Sequence, residues 1–313
     1  MNKFFTKLSF FFLILVFTVS ISLLIPKLIN FNAIIFPVRD SENFSRGDYI
    51  KAFLNNDRPE LLVMGNSKSL TSIDLNILET NTSKKSLHLG YIGASLSTIK
   101  LILESYLDQN KTPDYLLLEV SWFSFNQTRT SFHPSLIGDL LIHDMSLFKE
   151  SFNYPELYRL YCKRLIYYLT NSYDKKVTLE IDRNVHGPQS KNIFNINQFE
   201  MLFPDHNAGI NPRLLKDYYS IINICKSNNI ELFLYTAPEM LEYVKMQKDR
   251  NNILNVFYST ARYNSKIHYL NYTPGGEYYS ERFNNQLTDS HHLGDPKDFT
   301  AVLSSDLIRI FKH

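Results

Sequence analysis

Two stretches far apart in the chain hold residue types that chemistry uses together. The first is Glu60-Leu61-Leu62-Val63-Met64-Gly65-Asn66-Ser67-Lys68-Ser69, an apolar run ending in a glycine, a polar residue and a serine. The second is Asp289-Ser290-His291-His292-Leu293-Gly294, just ahead of the last apolar-periodic segment. A serine hydroxyl is a poor nucleophile until an imidazole takes its proton. The imidazole in turn needs a carboxylate on its other nitrogen to fix its tautomer. Ser67, His292 and Asp289 can fill these three roles, and the free N–H groups of a helix starting near Ser67 can stabilise an oxyanion. Other readings of the same residues stay open at this level. A small polar turn after a strand is ordinary, and His291 can replace His292 as the base. Asp289, His291 and His292, with Asp205 and His206, can also ligate zinc or a hard metal, although no helical or hairpin spacing orders them.

These residues meet only if a fold brings them to one edge, and the chain between them alternates strand and helix signals. Leu61–Met64 reads as a buried strand, with Gly65 allowing a tight turn into a short helix over Ser72–Glu79. Ser86–Leu89 reads as the next strand, followed by a helix from Ser97 to Leu107 with Ile99, Leu101, Ile102 and Tyr106 on its apolar side. Pro113-Asp114 opens the strand Tyr115–Val120. After an interruption, Asn211-Pro212 makes a helix start, and Leu214, Leu215, Tyr218, Ile221, Ile222 and Cys225 form its apolar stripe. Ile230–Tyr235 is a strand, Met240–Tyr263 reads mostly as helix, and Ile267–Leu270 is the last strand. A helix from about Pro296 to Phe311 closes the chain. Alternation of this kind predicts an α/β protein with three α/β/α layers: a five-stranded parallel sheet in flavodoxin-like order, its first strand central. Ser67 and the Asp289 loop then share the carboxyl edge, where ligands bind in such sheets.

The interruption runs from about residue 122 to 204 and is rich in Asn, Tyr, Phe and His, with a helix candidate at Pro155–Leu169. Following a strand's carboxyl end, it is expected to be an inserted lid or substrate subdomain, with a purely structural excursion as the competing reading. Lys163 and Arg164 within it suit anionic lipid, a glycan or simply solvent. At the amino end no residue between Lys7 and Lys27 is charged, and Leu8–Ile25 is long and apolar enough to span a bilayer. Lys3 and Lys7 favour a cytoplasmic amino terminus; a cleaved signal peptide is the competing reading, but no clear small-x-small cleavage site follows the apolar run. The expected layout is an uncleaved transmembrane anchor over 1–27, a juxtamembrane connector over 28–58, and an extracytoplasmic α/β domain over 59–313. A net charge of +2 points to no nucleic-acid partner, and with only Cys162 and Cys225, the latter on the apolar side of an expected helix, the composition argues against a disulfide framework or a Cys-based zinc site.

Three segments, in order, resemble the SGNH (GDSL-type) hydrolase superfamily. Gly65-Asn66-Ser67 is similar to its block I with Asn66 in place of aspartate. Leu89-Gly90-Tyr91-Ile92-Gly93-Ala94-Ser95 is similar to block II, which places an oxyanion donor at Gly93 beside that of Ser67. Asp289 to Gly294 is similar to block V, which makes Asp289 and His292 the base pair. The resemblance covers about residues 58–121 and 205–313. It departs at block III, where Ser121-Trp122-Phe123-Ser124 stands in for Gly-x-Asn-Asp and the asparagine oxyanion donor is missing. Loss of one such donor typically costs about a hundred- to thousand-fold in turnover. Ser121, Trp122, Ser124 and Asn126 are the candidate replacements. The Ser-Trp-Phe segment, the anchor and the Asp-x-x-His-Leu-Gly ending further resemble the membrane-anchored branch of teichoic-acid D-alanyl transfer and alginate O-acetylation. The resemblance implies an esterase or acyltransferase acting on an acylated envelope polysaccharide or glycolipid, beside a membrane-bound O-acyltransferase and without metal or organic cofactor. Its alternative is an inactive SGNH-like domain that binds a glycan or a partner acyltransferase.

Overall fold

The computed structural model of the chain describes residues 58–90, 93–109, 112–125, 209–289 and 291–311, all belonging to one compact unit. The proposed anchor, the connector up to residue 57, Asn126, Lys163, Arg164, Asp205, His206 and nearly all of the expected insertion lie outside the described residues. Among the described residues no helix is long and apolar enough to cross a membrane.

Five parallel strands carry the unit: β1 (Leu61–Met64), β2 (Ser86–His88), β3 (Tyr115–Glu119), β4 (Glu231–Thr236) and β5 (Ile267–Asn271), in the order β2-β1-β3-β4-β5. The order is flavodoxin-like, but one expectation needs correcting. β1 is interior, between β2 and β3, while the middle place belongs to β3. A 2-1-3-4-5 winding cannot do otherwise, because the switch of direction falls between β1 and β3. Leu61, Leu62, Val63 and Met64 are all fully buried, as are Leu116, Leu117 and Leu118 of β3 and Leu232, Phe233 and Leu234 of β4. Strands without an exposed face need helices on both sides of the sheet.

Seven helices supply that cover among the described residues: α1 (Ser67–Ser72), α2 (Leu75–Thr82), α3 (Leu96–Gln109), α4 (Pro212–Ser227), α5 (Leu241–Met246), α6 (Arg250–Arg262) and α7 (Lys297–Phe311). Leu75 and Leu78 of α2 and Phe299, Leu303 and Leu307 of α7 form one core layer with Leu61, Val63, Leu117, Phe233 and Tyr235. Side chains alternate along a strand, so Leu62, Leu116, Leu118, Leu232 and Leu234 point to the opposite layer. Helices α3, α4 and α6 cover that side, with α3 against α4 and α6 against β5. Fully burying each Leu or Phe contributes about 1.5–3 kcal/mol, which makes these two layers the main source of stability.

Two helices expected from the sequence are broken in the structure. The expected Ser72–Glu79 helix is two helices, α1 starting at Ser67 itself and α2 starting after Asp74. Ile73 is extended, and the Asp74 carboxylate caps α2 by accepting the N–H groups of Asn76 at 3.0 Å and Ile77 at 3.2 Å. The Thr300 hydroxyl of α7 stitches the break: it accepts the Asp74 N–H at 2.9 Å and lies 3.1 Å from the Ser72 carbonyl oxygen. Likewise the expected Met240–Tyr263 helix splits into α5 and α6, because Gln247 is extended and Asp249 adopts φ 54°. The helix start at Asn211-Pro212 is as expected, with the Asn211 side-chain oxygen accepting the N–H of Arg213 at 2.9 Å.

Candidate active site

The turn from β1 into α1 places Ser67 at the first helical position. Asn66 is its N-cap, and its side-chain oxygen accepts the Lys68 N–H at 2.8 Å. A cap needs only a side-chain acceptor, so asparagine fills the place of aspartate here without loss of function as a cap. Gly65 has no room for a side chain: a Cβ there would lie 2.6 Å from Glu119 Cβ and 2.8 Å from Ser69 Cβ. Gly90, in the turn after β2, is equally constrained, since its Cβ would lie 2.3 Å from Ser69 Oγ. The two turns therefore pack directly on the start of α1. Ser67, at the first turn, leaves its N–H without an intrahelical acceptor.

The loop ahead of α7 folds on itself. Leu287 and Leu293 form an antiparallel bridge, and the Thr288 N–H donates to the His292 carbonyl oxygen at 2.8 Å. Inside this loop Asp289 Oδ1 accepts the backbone N–H groups of His291 at 2.9 Å and His292 at 2.8 Å. Its other oxygen, Oδ2, lies 2.7 Å from His292 Nδ1. His292 Nε2 then lies 2.9 Å from Ser67 Oγ, across 225 residues of sequence. The structure thus brings Ser67, His292 and Asp289 into one hydrogen-bonded line at the carboxyl edge of the sheet. With Asp289 Oδ2 accepting from Nδ1–H, the ring's Nε2 is left to accept the serine proton.

Electrostatics agree with that line. Burial alone would raise the Asp289 carboxyl, but the hydrogen bond from the His292 ring and the charges of His291 and His292 outweigh it. With the His291 N–H also bonded to it, the group stays well below the usual carboxylate range and remains ionised at neutral pH. Behind Ser67, burial lowers His88 to about 4, so this ring is neutral, and its Nδ1 accepts the Gly90 N–H at 3.1 Å.

His291 holds a different position. Its ring lies against Tyr243 with centroids 5.3 Å apart, and against Phe123 at 5.7 Å, and it is His292 that meets Ser67. The ligand atoms of Asp289, His291 and His292 all lie within 4.8 Å of one another. Both Asp289 oxygens are nevertheless committed within the loop, so a cation would have to displace the bonds that orient His292. The residues fit a proton-transfer line better than a metal cage.

The candidate oxyanion donors fare unevenly. Gly93 is exposed and left-handed, with φ 72°, in the turn before α3. The Trp122 indole is no donor to the cleft, because its Nε1–H donates to the Lys248 carbonyl oxygen at 2.8 Å and fixes the break between α5 and α6. The Ser124 hydroxyl oxygen accepts the Ser121 N–H at 2.9 Å, which closes the turn Trp122–Phe125. The Ser121 side chain is fully buried, its Oγ without a hydrogen-bond partner among the described residues, and so is shut off from a substrate oxygen in this conformation.

Sequence reasoning missed a buried ionic group behind the serine. Lys68 is 1% exposed, and its Nζ lies 2.6 Å from Glu239 Oε1 and 3.7 Å from Glu119 Oε1, both carboxylates being equally buried. The signal available was Glu119 itself, a carboxylate closing the apolar run Leu116-Leu117-Leu118, where an ion needs a partner. Also missed was a polar cavity of about 680 Å³ along α6, lined by Gln247, Arg250, Asn251, Asn255, Tyr258 and Asn271.

A doubly covered parallel sheet carrying a Ser–His–Asp line at its carboxyl edge is an arrangement used for acyl transfer on more than one fold. No family model matches the chain, and no curated protein matches it. Among solved structures it is similar to a protein assigned as an acylhydrolase from Bacteroides fragilis NCTC 9343, with 10% identity, TM-score 0.40, and coverage of 89% of this chain and 99% of that one. It is also similar to a GDSL-like lipase from Bacteroides thetaiotaomicron, with 13% identity, TM-score 0.39, and 85% and 97% coverage. An active-site mutant of a family two carbohydrate esterase from Clostridium thermocellum shares 8% identity at TM-score 0.41, covering 82% of this chain and 65% of that one. At such values the chemistry has to be read from this chain's own geometry.

Proposed function

We propose that the chain is an SGNH-type serine enzyme of acyl-ester chemistry, with Ser67 as nucleophile, His292 as general base and Asp289 as its orienter. The observation that carries this reading is the continuous line from Ser67 Oγ to His292 Nε2 at 2.9 Å and from His292 Nδ1 to Asp289 Oδ2 at 2.7 Å. In the first step Ser67 Oγ attacks the ester carbonyl carbon while its proton passes to His292 Nε2. The oxyanion so formed is received by the backbone N–H groups of Ser67 and Gly93. Collapse breaks the ester C–O bond, and His292 returns the proton to the leaving alkoxide, giving an acyl-Ser67 intermediate. Water, or the hydroxyl of an acceptor, then attacks the intermediate with His292 again as base, which makes the reaction hydrolysis or transfer.

The substrate in this reading is an acylated cell-envelope polysaccharide or glycolipid. Support comes from the cavity along α6, whose amides and phenol offer donors and acceptors to sugar hydroxyls, and from α5, in which Tyr243 packs against His291 and the next residue, Val244, lines the cavity. The apolar stretch Leu8–Ile25 supports a single-pass anchor with the domain on the extracytoplasmic face, where a membrane-bound O-acyltransferase would be the partner. A second reading, a cleft that only binds a glycan or such a partner, is favoured by one observation: Trp122 is committed to the Lys248 carbonyl and Phe123 to aromatic packing where the superfamily has its asparagine. Turnover of p-nitrophenyl acetate by the full chain separates the two. Ser67→Ala and His292→Ala each remove it, and the double variant loses little more, because such residues act as a unit. Wild-type chain without turnover, or singles that retain it, leaves the binding reading.

A further inference from the structure

We propose that Lys68, clamped between Glu239 and Glu119, is a positioning residue that sets the orientation of the Ser67 hydroxyl. The inference rests on the reading of Ser67 as nucleophile. Helix α1 has six residues and is too short to hold its own first turn. Its neighbouring strand ends must therefore fix it: Ser72 at its end lies 3.2 Å from the Tyr235 hydroxyl of β4, and Lys68, next to the nucleophile, reaches the ends of β3 and β4 by charge. From the position next to Ser67 its ammonium runs into the interior, to Glu119 at the end of β3 and to Glu239 three residues past β4. The tie continues beyond these two carboxylates. Glu239 Oε2 accepts from Gln247 Nε2 at 3.0 Å, and Gln247 Oε1 accepts from Arg250 Nε at 2.9 Å. Arg250 also donates to the Thr273 hydroxyl, which lies 2.7 Å from Asn271 Oδ1 at the end of β5.

One network thus joins the serine turn to the carboxyl ends of β3, β4 and β5. It ends on the segment that leads, from Thr273 to Thr288, into the Asp289 loop. Lys68 meets the two carboxylates Glu119 and Glu239 directly, and Arg250 joins the network through the Gln247 amide and the Thr273 hydroxyl. Rotating α1 enough to swing Ser67 away from His292 would drag the ammonium off its partners into a dry interior, which buried charge resists. Misplacement of a reacting group by about 1 Å costs on the order of a hundredfold in rate, and it falls on the chemical step rather than on binding.

The test compares Lys68→Met, Lys68→Arg and Glu239→Gln in the full chain, each first verified as folded by its thermal transition. With p-nitrophenyl acetate, Lys68→Met and Glu239→Gln are expected to lower kcat about a hundredfold with KM within about twofold. Lys68→Arg, which keeps the charge, recovers most of that loss. Folded Lys68→Met or Glu239→Gln chain with wild-type kcat overturns the proposal. A second measurement is independent of turnover, and so separates this inference from the function on which it rests. The ring ¹⁵N resonances of His292 report the Ser67 hydrogen bond directly. Lys68→Met moves them to the positions seen in Ser67→Ala, whereas resonances unchanged from wild type overturn the clamp even in a chain that turns over no ester.

Discussion

The two halves of the candidate site are held in opposite ways. The base side is local: Asp289 receives the N–H groups of His291 and His292 and the His292 ring, all within three residues, in a loop closed by the Leu287–Leu293 bridge. The serine side is assembled from a distance. Lys68 meets Glu239 across 171 residues, and Gly65 and Gly90 are packed against Glu119 and Ser69. The base loop is half-buried, while the ions behind the serine are dry. A local loop can be altered without disturbing the core, whereas the serine turn cannot be separated from it. Function and stability should therefore part company on the base side and travel together on the serine side.

The largest effect that divides the sides is expected from Asp289→Asn. The change keeps the loop's shape but removes the charge and the tautomer it selects, and by analogy with the corresponding change in serine proteases turnover falls about 10⁴-fold. Its denaturation midpoint at neutral pH is expected to fall by the stabilisation that the ionised carboxylate gives the loop, but by less than in Lys68→Met. A loss of stability as large as that of Lys68→Met would show that the base loop is not the local unit described above.

Acid sharpens the same contrast, because His88 and Asp289 respond in different windows. His88 is depressed to about 4 in the folded chain against 6.5 for a free histidine, so the unfolded state takes up its proton first. Stability is then full above about pH 6.5 and declines as pH falls towards 4. The loss attributable to this one group reaches about 3 kcal/mol. The Asp289 carboxyl is depressed as well, but below the ordinary carboxylate range. Its stabilisation is present above the unfolded carboxylate's pKa and is lost only as pH drops through the folded value. Denaturant titrations between pH 7 and 4 are expected to show a steep limb that His88→Asn flattens and Asp289→Asn leaves in place. A limb that survives His88→Asn would place the acid sensitivity elsewhere.

The same division explains what could be read without coordinates. The Asp-x-x-His pairing is legible because its bonds are local, and the strands at Leu61–Met64, Tyr115–Glu119 and Glu231–Thr236 are legible as apolar runs. The last helix and the Asn211-Pro212 start follow from periodicity and capping. Illegible were the features made by distant partners. Ile73 and Gln247 carry no glycine or proline to announce a break. The breaks depend on Thr300 for one and on Glu239 and the Trp122 indole for the other. Trp122 looked like a cleft donor because nothing near it in sequence predicts the Lys248 carbonyl as its acceptor. Lys68 and Glu239 are residues that composition assigns to solvent, and only the sheet order makes them neighbours.

The central claim is that Ser67 is activated by His292, and covalent labelling addresses it most directly. Full-length chain is treated with a fluorophosphonate at neutral pH and the modified peptide is identified by mass spectrometry. The account predicts a single adduct on Ser67, lost in His292→Ala and strongly slowed in Asp289→Asn. Folded wild-type chain that stays unlabelled, or that is labelled equally fast without His292, would contradict it.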